Sequence, residues 1–251
     1  MIQKRTSIDL SIVLPCYNEA GNIPSIIDAF YKALPKSIQT EIILVNNGST
    51  DNTKAVLKKS LSRFQKGPFK VINIPKNKGY GHGILSGLDA ASGQVLSMTH
   101  ADMQTPPEDV FKAYKTLLSE NKANTLIKGC RQNRAKLESF FTAGMQWVVL
   151  VALKIKLHDI NAQPKLFHRS FYETHIQGKA PYDFSLDLFI LYQAKKWGHI
   201  VEIPVYFKKR LAGEAKGGGS FKTRLKLIQR TFSYIWELKS SIALKQKNEQ
   251  R

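Results

Sequence analysis

Ile8–Leu14 (IDLSIVL) and the pattern that follows it decide the fold class of this chain. The segment is rich in β-branched residues, which favour a buried strand. After the turn Glu19–Asn22, apolar residues recur at helical spacing from Ile23 to Leu34. A strand, a loop and a helix in this order predict one β-α unit.

The same unit repeats through the first hundred residues. Further strands are predicted at Glu41–Val45, Phe69–Ile74 and Val95–Thr99, and helical patterns separate them. Strands joined by crossover helices run parallel, because the helix returns the chain to the edge from which the first strand began. We therefore expect an α/β fold of the doubly wound type, with a mostly parallel sheet and helices on both faces.

The second half of the chain has looser spacing but continues to alternate. The predicted elements are a helix that ends near Ser119, a strand near Leu126–Gly129, a long helix around Leu137–Lys156, a strand near Pro164–Phe167, a helix near Leu186–Trp197 and a strand at Ile200–Phe207. Gly217–Ser220 is typical of a flexible joint. We expect a catalytic domain over residues 1–219 and a C-terminal amphipathic basic helix with its tail over residues 220–251.

The C-terminal segment admits two interpretations. Its apolar residues fall on one helical face, lysines and arginines flank them, and Trp236 lies near the centre. A helix of this kind can lie in the interface of an anionic membrane. It can equally pack its apolar stripe on the catalytic domain and leave its basic face in water.

The composition is that of a folded globular protein with a large excess of positive charge. The 251 residues are 43% hydrophobic, which excludes the disordered, collagen-like and coiled-coil classes. There are 38 Lys and Arg against 19 Asp and Glu, a formal net charge of +19. An anionic partner is expected, and nucleic acid, anionic lipid or a phosphorylated substrate would each meet that expectation.

Cysteine usage and hydropathy favour a cytoplasmic location. Cys16 and Cys130 are too few and too far apart for a disulfide scaffold or a zinc site. The longest uncharged run, Ser139–Leu153, is 15 residues, shorter than the roughly 20 that a transmembrane helix needs. The N-terminal apolar stretch is interrupted by Asp9 and does not fit a signal peptide.

Polar and glycine-rich segments follow the first four predicted strands. They are Tyr17–Glu19, Asn46–Gly48, Asn77–Gly79 and His100–Gln104. Because ligands of open parallel sheets bind beyond the carboxyl ends of the strands, these segments should form one site. Two common nucleotide motifs do not match. Ile84 replaces the third glycine of the dinucleotide motif, and Gly219 stands where a P-loop requires lysine.

Four motifs in register resemble the GT-A fold of glycosyltransferase family 2. They are residues 12–19 (IVLPCYNE), 45–51 (VNNGSTD), 77–81 (NKGYG) and 100–104 (HADMQ). The last stands where that family has its Asp-x-Asp metal motif. Residues 161–167 (NAQPKLF), 202–205 (EIPV) and 210–216 are similar to the dolichol-phosphate mannosyltransferase branch of the family.

The resemblance implies an inverting, metal-dependent enzyme that moves a sugar from a nucleotide-sugar donor to a polyprenyl phosphate. It would act as a peripheral protein at the cytoplasmic face of the membrane. An alternative within the family extends a surface glycan and uses a sugar hydroxyl as acceptor. A basic nucleic-acid-binding protein would also explain the charge, but no recognised nucleic-acid module is present, and we expect no nucleic-acid partner.

The metal motif and its position after a strand assign Asp102 to a divalent cation that bridges the donor diphosphate. His100 replaces the family's first carboxylate, and Gln104 is a further candidate ligand. Carboxylate and amide oxygens suit Mg²⁺ or Mn²⁺, whereas imidazole suits Mn²⁺ better. The cofactor is therefore expected to be one of these two ions.

The matched motifs also imply the other site residues. Those assigned to substrate binding are Pro15, Tyr17, Glu19, Asn47, Gly48, Lys78, Gly79, Gln163 and Lys216. Among them, Gln163 is expected to contact either the donor or the acceptor, and Lys216 to clamp a phosphate. Asn47 departs from the family, which commonly has Asp there, and an amide can donate as well as accept. Asp187 is the catalytic candidate, which would position a phosphate acceptor or take a proton from a sugar hydroxyl. Arg210 would clamp a phosphate through its bidentate guanidinium.

Overall fold

A computed structural model describes residues 8–64, 67–120, 122, 124–132, 148–208, 229 and 232–240. Arg210, Lys216 and the expected domain boundary after residue 219 lie outside the described residues. So does most of the predicted helix Leu137–Lys156. All four strand-end segments of the first half are described.

The bounds of the elements are as follows. The strands are β1 (Leu10–Cys16), β2 (Thr40–Asn47), β3 (Phe69–Ile74), β4 (Val95–Met98), β5 (Thr125–Arg131), β6 (Lys165–His168) and β7 (His199–Val205). The helices are α1 (Ile23–Ala33), α2 (Thr53–Leu61), α3 (Tyr80–Asp89), α4 (Pro107–Ser119), α5 (Arg169–His175) and α6 (Leu186–Trp197). Residues 148–153 and 232–240 are also helical.

The strands form one mostly parallel sheet in the order β3-β2-β1-β4-β6-β5-β7. Strand β6 alone among them runs antiparallel to its neighbours, β4 and β5. The first four strands end at one edge of the sheet. Strand β6 begins at that edge, because Lys165 pairs with Met98, the last residue of β4. The predicted mostly parallel α/β sheet is confirmed.

Apolar side chains cover both faces of this sheet. Val13 of β1 faces one buried cluster, whereas its neighbours Ile12 and Leu14 face the other, as alternation along a strand requires. Helices α3 and α6 pack into the first cluster, and α1 and α4 pack into the second. The prediction of helices on both faces is therefore also confirmed.

A buried carboxylate ties strands together near the amino end of β2. Glu41 is 2% exposed and accepts hydrogen bonds from the Ser11 hydroxyl at 2.6 Å, from the backbone N–H of Ser92 and from Lys70. Burial would raise the pKa of Glu41, but these hydrogen bonds outweigh it and the pKa is lowered. This network lies at the end of the strand opposite to the predicted site.

The helix at residues 232–240 uses its two sides differently. Ile235 and Leu238 are buried in the cluster that contains α3 and α6. Trp236 is 58% exposed, and the Lys239 ammonium lies 4.8 Å from the centre of its indole ring. Part of the apolar stripe is therefore core, as one of the two interpretations requires, while an aromatic side chain with a basic neighbour faces outward.

Three element predictions need correction. The helix predicted to reach Lys156 ends at residue 153, because Lys154 takes a left-handed backbone conformation with φ of 56°. The last strand spans His199–Val205, so Phe207 lies beyond it. Helix α5 was not predicted, because seven residues directly after a strand leave little room for a periodic pattern. No helix in the described part of the chain is long and apolar enough to cross a membrane.

Candidate active site

Hydrogen bonds join the loop after β1 to the loop after β2. Asn18 has a left-handed backbone with φ of 54°, and its side-chain Oδ1 accepts from the Thr50 N–H at 2.8 Å. The backbone N–H groups of Asn18 and Glu19 donate to the hydroxyls of Ser49 at 3.0 Å and Thr53 at 2.9 Å. The donor-side candidates on these two loops are therefore brought together.

Two buried amides join the end of β2 to the β3 side of the sheet. Asn46 donates from Nδ2 to Asn73 Oδ1 at 3.0 Å, and Asn47 donates from Nδ2 to the Gly79 carbonyl at 3.0 Å. An Asp at position 47 could not donate this second bond, because an ionised carboxylate only accepts. The departure from the family residue therefore has a structural role. Whether Asn47 also meets a nucleotide base stays a prediction.

Glycines permit the close approach of three segments at this edge. Gly48 has φ of 66°, and a Cβ there would lie 2.2 Å from the Asn77 nitrogen. Gly79 has φ of 126°, and a Cβ there would lie 2.3 Å from the Tyr182 carbonyl oxygen. That carbonyl accepts from the His82 N–H at 2.9 Å, so the segment before α6 lies on the N-terminal turn of α3. Side chains at these positions would separate the segments.

The predicted metal motif forms a tight turn after β4. Asp102 is 2% exposed, and its Oδ1 accepts from the Gln104 N–H at 3.1 Å across Met103, which has φ of 62°. Gln104 also makes two hydrogen bonds with the backbone of Lys208. Its side-chain Nε2 donates to the Lys208 carbonyl at 3.3 Å, and its backbone carbonyl accepts from the Lys208 N–H at 2.9 Å. The turn is thereby tied to the segment that follows β7.

Aromatic contacts extend this connection. The His100 ring lies edge-on to Phe207 with centroids 6.3 Å apart, and the Arg131 guanidinium lies 5.2 Å from the centre of the same ring. Arg131 in turn makes several hydrogen bonds to the carboxylate of Asp159. The ends of β4, β5 and β7 therefore meet around Phe207.

The donor set at the turn fits a cation that is shared with a phosphorylated substrate. It comprises the Asp102 carboxylate, the Gln104 amide and the His100 imidazole. Among the described residues, no group of three or more His, Cys, Asp and Glu could hold a metal by itself. Mg²⁺ is commonly bound by one or two carboxylates together with substrate phosphates, so this partial set fits the ion only if a diphosphate supplies the remaining ligands.

Asp187 is buried in an ion pair. It lies in the first turn of α6 and is 3% exposed, and the fully buried Lys165 ammonium donates both to Asp187 Oδ1 and to the Ala162 carbonyl at 3.0 Å. Burial lowers the pKa of Lys165, and the negative charge of Asp187 partly opposes that effect. The predicted catalytic carboxylate is thus the counterion of a lysine that was not predicted as a site residue.

Gln163 and Tyr80 complete this buried cluster. Gln163 donates from Nε2 to Asp187 Oδ1 at 3.1 Å and approaches the Tyr80 hydroxyl at 3.4 Å. Burial raises the pKa of Tyr80 well above its usual value, and the negative charges of Asp187 and Asp102 add to the effect. The charges of both Asp187 and Asp102 therefore act on Tyr80.

The placement of the remaining candidates is mixed. Pro15 and Tyr17 are half-buried at the end of β1, and Lys78 is exposed. Arg210 and Lys216 lie outside the described residues. Lys165 was missed, although a lysine directly before the apolar pair Leu166 and Phe167 of β6 was a usable signal, since a charged residue in a buried strand requires a partner.

A family model for glycosyl transferase family 2 matches residues 11–173, well over half of the chain. Over 242 residues the chain is 28% identical to dolichyl-phosphate beta-glucosyltransferase ALG5A of Trichomonas vaginalis, covering 89% of this chain and 73% of that protein. It is also 28% identical over 235 residues to dolichol-phosphate mannosyltransferase of Pyrococcus furiosus, covering 91% and 64%.

Among solved structures, a similar one is glucosyl-3-phosphoglycerate synthase from Mycobacterium tuberculosis, in complex with Mn²⁺, UDP and glucosyl-3-phosphoglycerate. The TM-score is 0.68 at 17% identity, and the match covers 92% of this chain and 79% of the other. That likeness shows a shared GT-A fold. The family match shows, as the motifs predicted, that this chain belongs to glycosyltransferase family 2 and is a glycosyltransferase.

Proposed function

We propose that this chain transfers a sugar, with inversion, from a nucleotide-sugar donor to a polyprenyl phosphate at the cytoplasmic face of a membrane. The two relatives support the acceptor, because their names refer to dolichyl and dolichol phosphate. The solved neighbour supports a nucleotide donor, since its complex holds UDP and Mn²⁺.

The burial of Asp187 is the observation that carries the choice of acceptor. A sugar hydroxyl needs a general base, and Asp187 was the candidate. Its carboxylate is 3% exposed and neutralises a fully buried lysine, so protonating it would leave Lys165 without a counterion. A phosphate acceptor is already ionised at neutral pH and needs positioning instead of deprotonation. The geometry therefore favours a phosphate over a hydroxyl.

The turn after β4 is the proposed diphosphate site. Mg²⁺ or Mn²⁺ bound there by Asp102, with Gln104 and His100, would neutralise charge on the departing nucleoside diphosphate. The Gln104 N–H holds Asp102 Oδ1 in place before substrate arrives. Glu19 and Tyr17 would contact the nucleoside from the loop after β1, and Arg210 and Lys216 would clamp a phosphate group.

The C-terminal region is the proposed membrane contact. Residues 207–251 carry 12 Lys and Arg against 3 Asp and Glu, a charge that would attract an anionic bilayer. Trp236 is exposed beside Lys239, and this pairing of an indole with a basic residue suits the headgroup region. Ile235 and Leu238 would hold the helix on the catalytic domain at the same time.

The test is a transfer assay with the full chain, a panel of UDP- and GDP-sugars, Mn²⁺ or Mg²⁺, and polyprenyl phosphate in lipid vesicles. We expect one nucleotide sugar to yield glycosylated lipid phosphate in a metal-dependent reaction. Asp102→Asn should reduce turnover at least about 100-fold, the order of loss seen when a group that stabilises developing charge is removed. Asp28→Asn is the matched control, because that carboxylate lies in an exposed ion pair on α1.

Three outcomes would contradict the proposal. Transfer to a glycan hydroxyl and not to lipid phosphate would favour the alternative enzyme. Full turnover by the Asp102 variant, or in the presence of a chelator, would remove the metal assignment. Salt-dependent binding to arbitrary duplex DNA without any binding of nucleotide sugar would favour a nucleic-acid-binding protein.

A further inference from the structure

The side-chain amide of Gln163 is held in one orientation by its neighbours. Its Nε2 donates to Asp187 Oδ1 at 3.1 Å and points toward the Tyr80 hydroxyl at 3.4 Å. The side chain is 1% exposed, so water does not compete for these bonds. Rotating the amide by 180° would place Oε1 against the Asp187 carboxylate, which would replace a hydrogen bond by repulsion.

This orientation leaves the oxygen of the amide without a hydrogen-bond donor. Gln163 Oε1 is buried and has no hydrogen-bond partner within the described parts of the chain. A buried carbonyl oxygen without a donor is costly, by about 1–3 kcal/mol, and native proteins seldom tolerate one without a reason. Because Asp187 fixes Nε2, only a hydrogen-bond donor can satisfy Oε1.

The position of Gln163 indicates which group could supply this hydrogen bond. The residue directly precedes Pro164 and β6, and β6 begins beside the last residue of β4, four residues before Asp102. Tyr80, which contacts Gln163, is close enough to Asp102 for that charge to raise its pKa. A diphosphate at Asp102 would place its attached sugar in this region, and a sugar offers hydroxyl donors.

We propose that Gln163 Oε1 accepts a hydrogen bond from one hydroxyl of the transferred sugar, and that Asp187 and Lys165 are positioning residues that orient the amide for it. The inference rests on the proposed function, because it needs a sugar nucleotide at Asp102. Selection of the sugar is then made by the Gln163 amide, and the buried ion pair determines which end of that amide faces the sugar. Asp187 then serves the reaction without touching a proton of the acceptor.

The first test compares Gln163→Met with the wild type on the nucleotide sugar that the enzyme uses and on analogues lacking one hydroxyl each. The wild type should lose about tenfold or more in kcat/KM on one analogue, because its buried acceptor is then left unpaired. Gln163→Met should have a lower kcat/KM than the wild type on the parent sugar. Its kcat/KM values on that analogue and on the parent should agree within about twofold. Its affinity for the nucleoside diphosphate alone should match that of the wild type.

Gln177→Met is the matched control, because that exposed amide also donates to a carboxylate, Asp89, but does so outside the site. It should retain the full discrimination. Gln163→Met that still discriminates like the wild type would overturn the inference. A wild-type enzyme that transfers no sugar to lipid phosphate would instead overturn the proposed function, so the two failures are distinct.

The second test separates positioning from base catalysis. The double change Lys165→Met with Asp187→Leu removes the ion pair together and leaves no lone buried charge. It should reduce the discrimination between the sugar and the critical analogue, because Gln163 is no longer oriented, while the acidic limb of the kcat–pH profile is retained. Loss of that limb with intact discrimination would identify Asp187 as a base and overturn the assignment. If the double variant does not fold, Gln163→Met decides the inference alone.

Discussion

Asp187→Asn should destabilise the protein strongly, although the two side chains have nearly the same volume. The change removes the counterion of Lys165, which is fully buried and whose other hydrogen bond is to the neutral Ala162 carbonyl. Removing one partner of a buried ion pair typically costs about 3–5 kcal/mol, because the remaining charge is left in a medium of low dielectric constant.

Deprotonation of Lys165 would cost a similar amount of free energy. Lys165 could escape the uncompensated charge by losing its proton. For a lysine with an ordinary pKa of 10.5, deprotonation at pH 7 costs about 5 kcal/mol, at about 1.4 kcal/mol per pH unit. The protein will adopt the state of lower free energy, so the loss of unfolding free energy should be on the order of 5 kcal/mol.

The pH dependence gives the prediction a sign. In Asp187→Asn the unfolded state binds more protons than the folded state, because the pKa of Lys165 is depressed only when it is buried. Stability should therefore rise as the pH is raised toward 10.5, and the deficit relative to the wild type should shrink. The wild type should show the same trend more weakly, since Asp187 opposes the depression.

Urea unfolding followed by tryptophan fluorescence and circular dichroism, at several pH values, measures this directly. The double change Lys165→Met with Asp187→Leu is the control, and it should cost less than the single change because no lone charge remains. A single variant that loses less than about 1 kcal/mol, or a double variant as unstable as the single one, would refute the buried-pair reasoning.

Three further predictions concern other parts of the molecule. Glu41→Gln should reduce the unfolding free energy by about 1–3 kcal/mol at pH 7. Because the pKa of Glu41 is lowered in the folded state, its contribution to stability is lost as the pH falls below about 4.5, and the variant should lose less stability there than the wild type. Measuring the unfolding free energy across this acid range checks the prediction. Gly79→Ala should lower both Tm and kcat/KM, whereas Gly178→Ala, with φ of 68° but open space around its Cβ, should lower Tm less, through backbone strain alone, and should leave kcat/KM unchanged. Trp236→Ala should weaken sedimentation with anionic vesicles without lowering Tm. Trp197 is also exposed but is stacked on His175, and Trp197→Ala should sediment with the vesicles as the wild type does. Equal binding by both variants would contradict the membrane contact.

The sequence was enough to predict the elements whose ends it marks. The bounds of β3 and α6 agree with the sequence at both ends, because a turn or a glycine limits each of them. The seven-residue helix α5 directly follows a strand and was missed, and the end of β7 was placed two residues too late. The sheet order was also beyond the sequence, because the antiparallel insertion of β6 between β4 and β5 depends on pairings between distant segments.

In the candidate site, too, features set by local sequence were predictable and contacts between distant segments were not. Motifs placed Asn18, Gly48 and Asp102 correctly at the carboxyl edge, because local turns there need those residue types. The partner of Asp187 could not be read from its spacing. Lys165 lies 22 positions earlier and reaches it only because β6 and α6 pack together on one face of the sheet. Contacts between elements were what changed Asp187 from a candidate base into a counterion.

The two departures from the family pattern act on the charge of the site in the same direction. His100 and Asn47 each stand where the family commonly has a carboxylate: here the His100 ring lies edge-on to Phe207, and Asn47 donates to the Gly79 carbonyl. A transferase that uses a phosphate acceptor must hold that phosphate near the diphosphate of its donor, and like charges at short range repel strongly. Replacing two carboxylates by groups without negative charge lowers the repulsion that the donor diphosphate would meet, whatever the acceptor is. An acceptor that is itself a phosphate would gain from the same exchange, so these two residues are compatible with the phosphate acceptor, while the choice between acceptors rests on the buried Asp187.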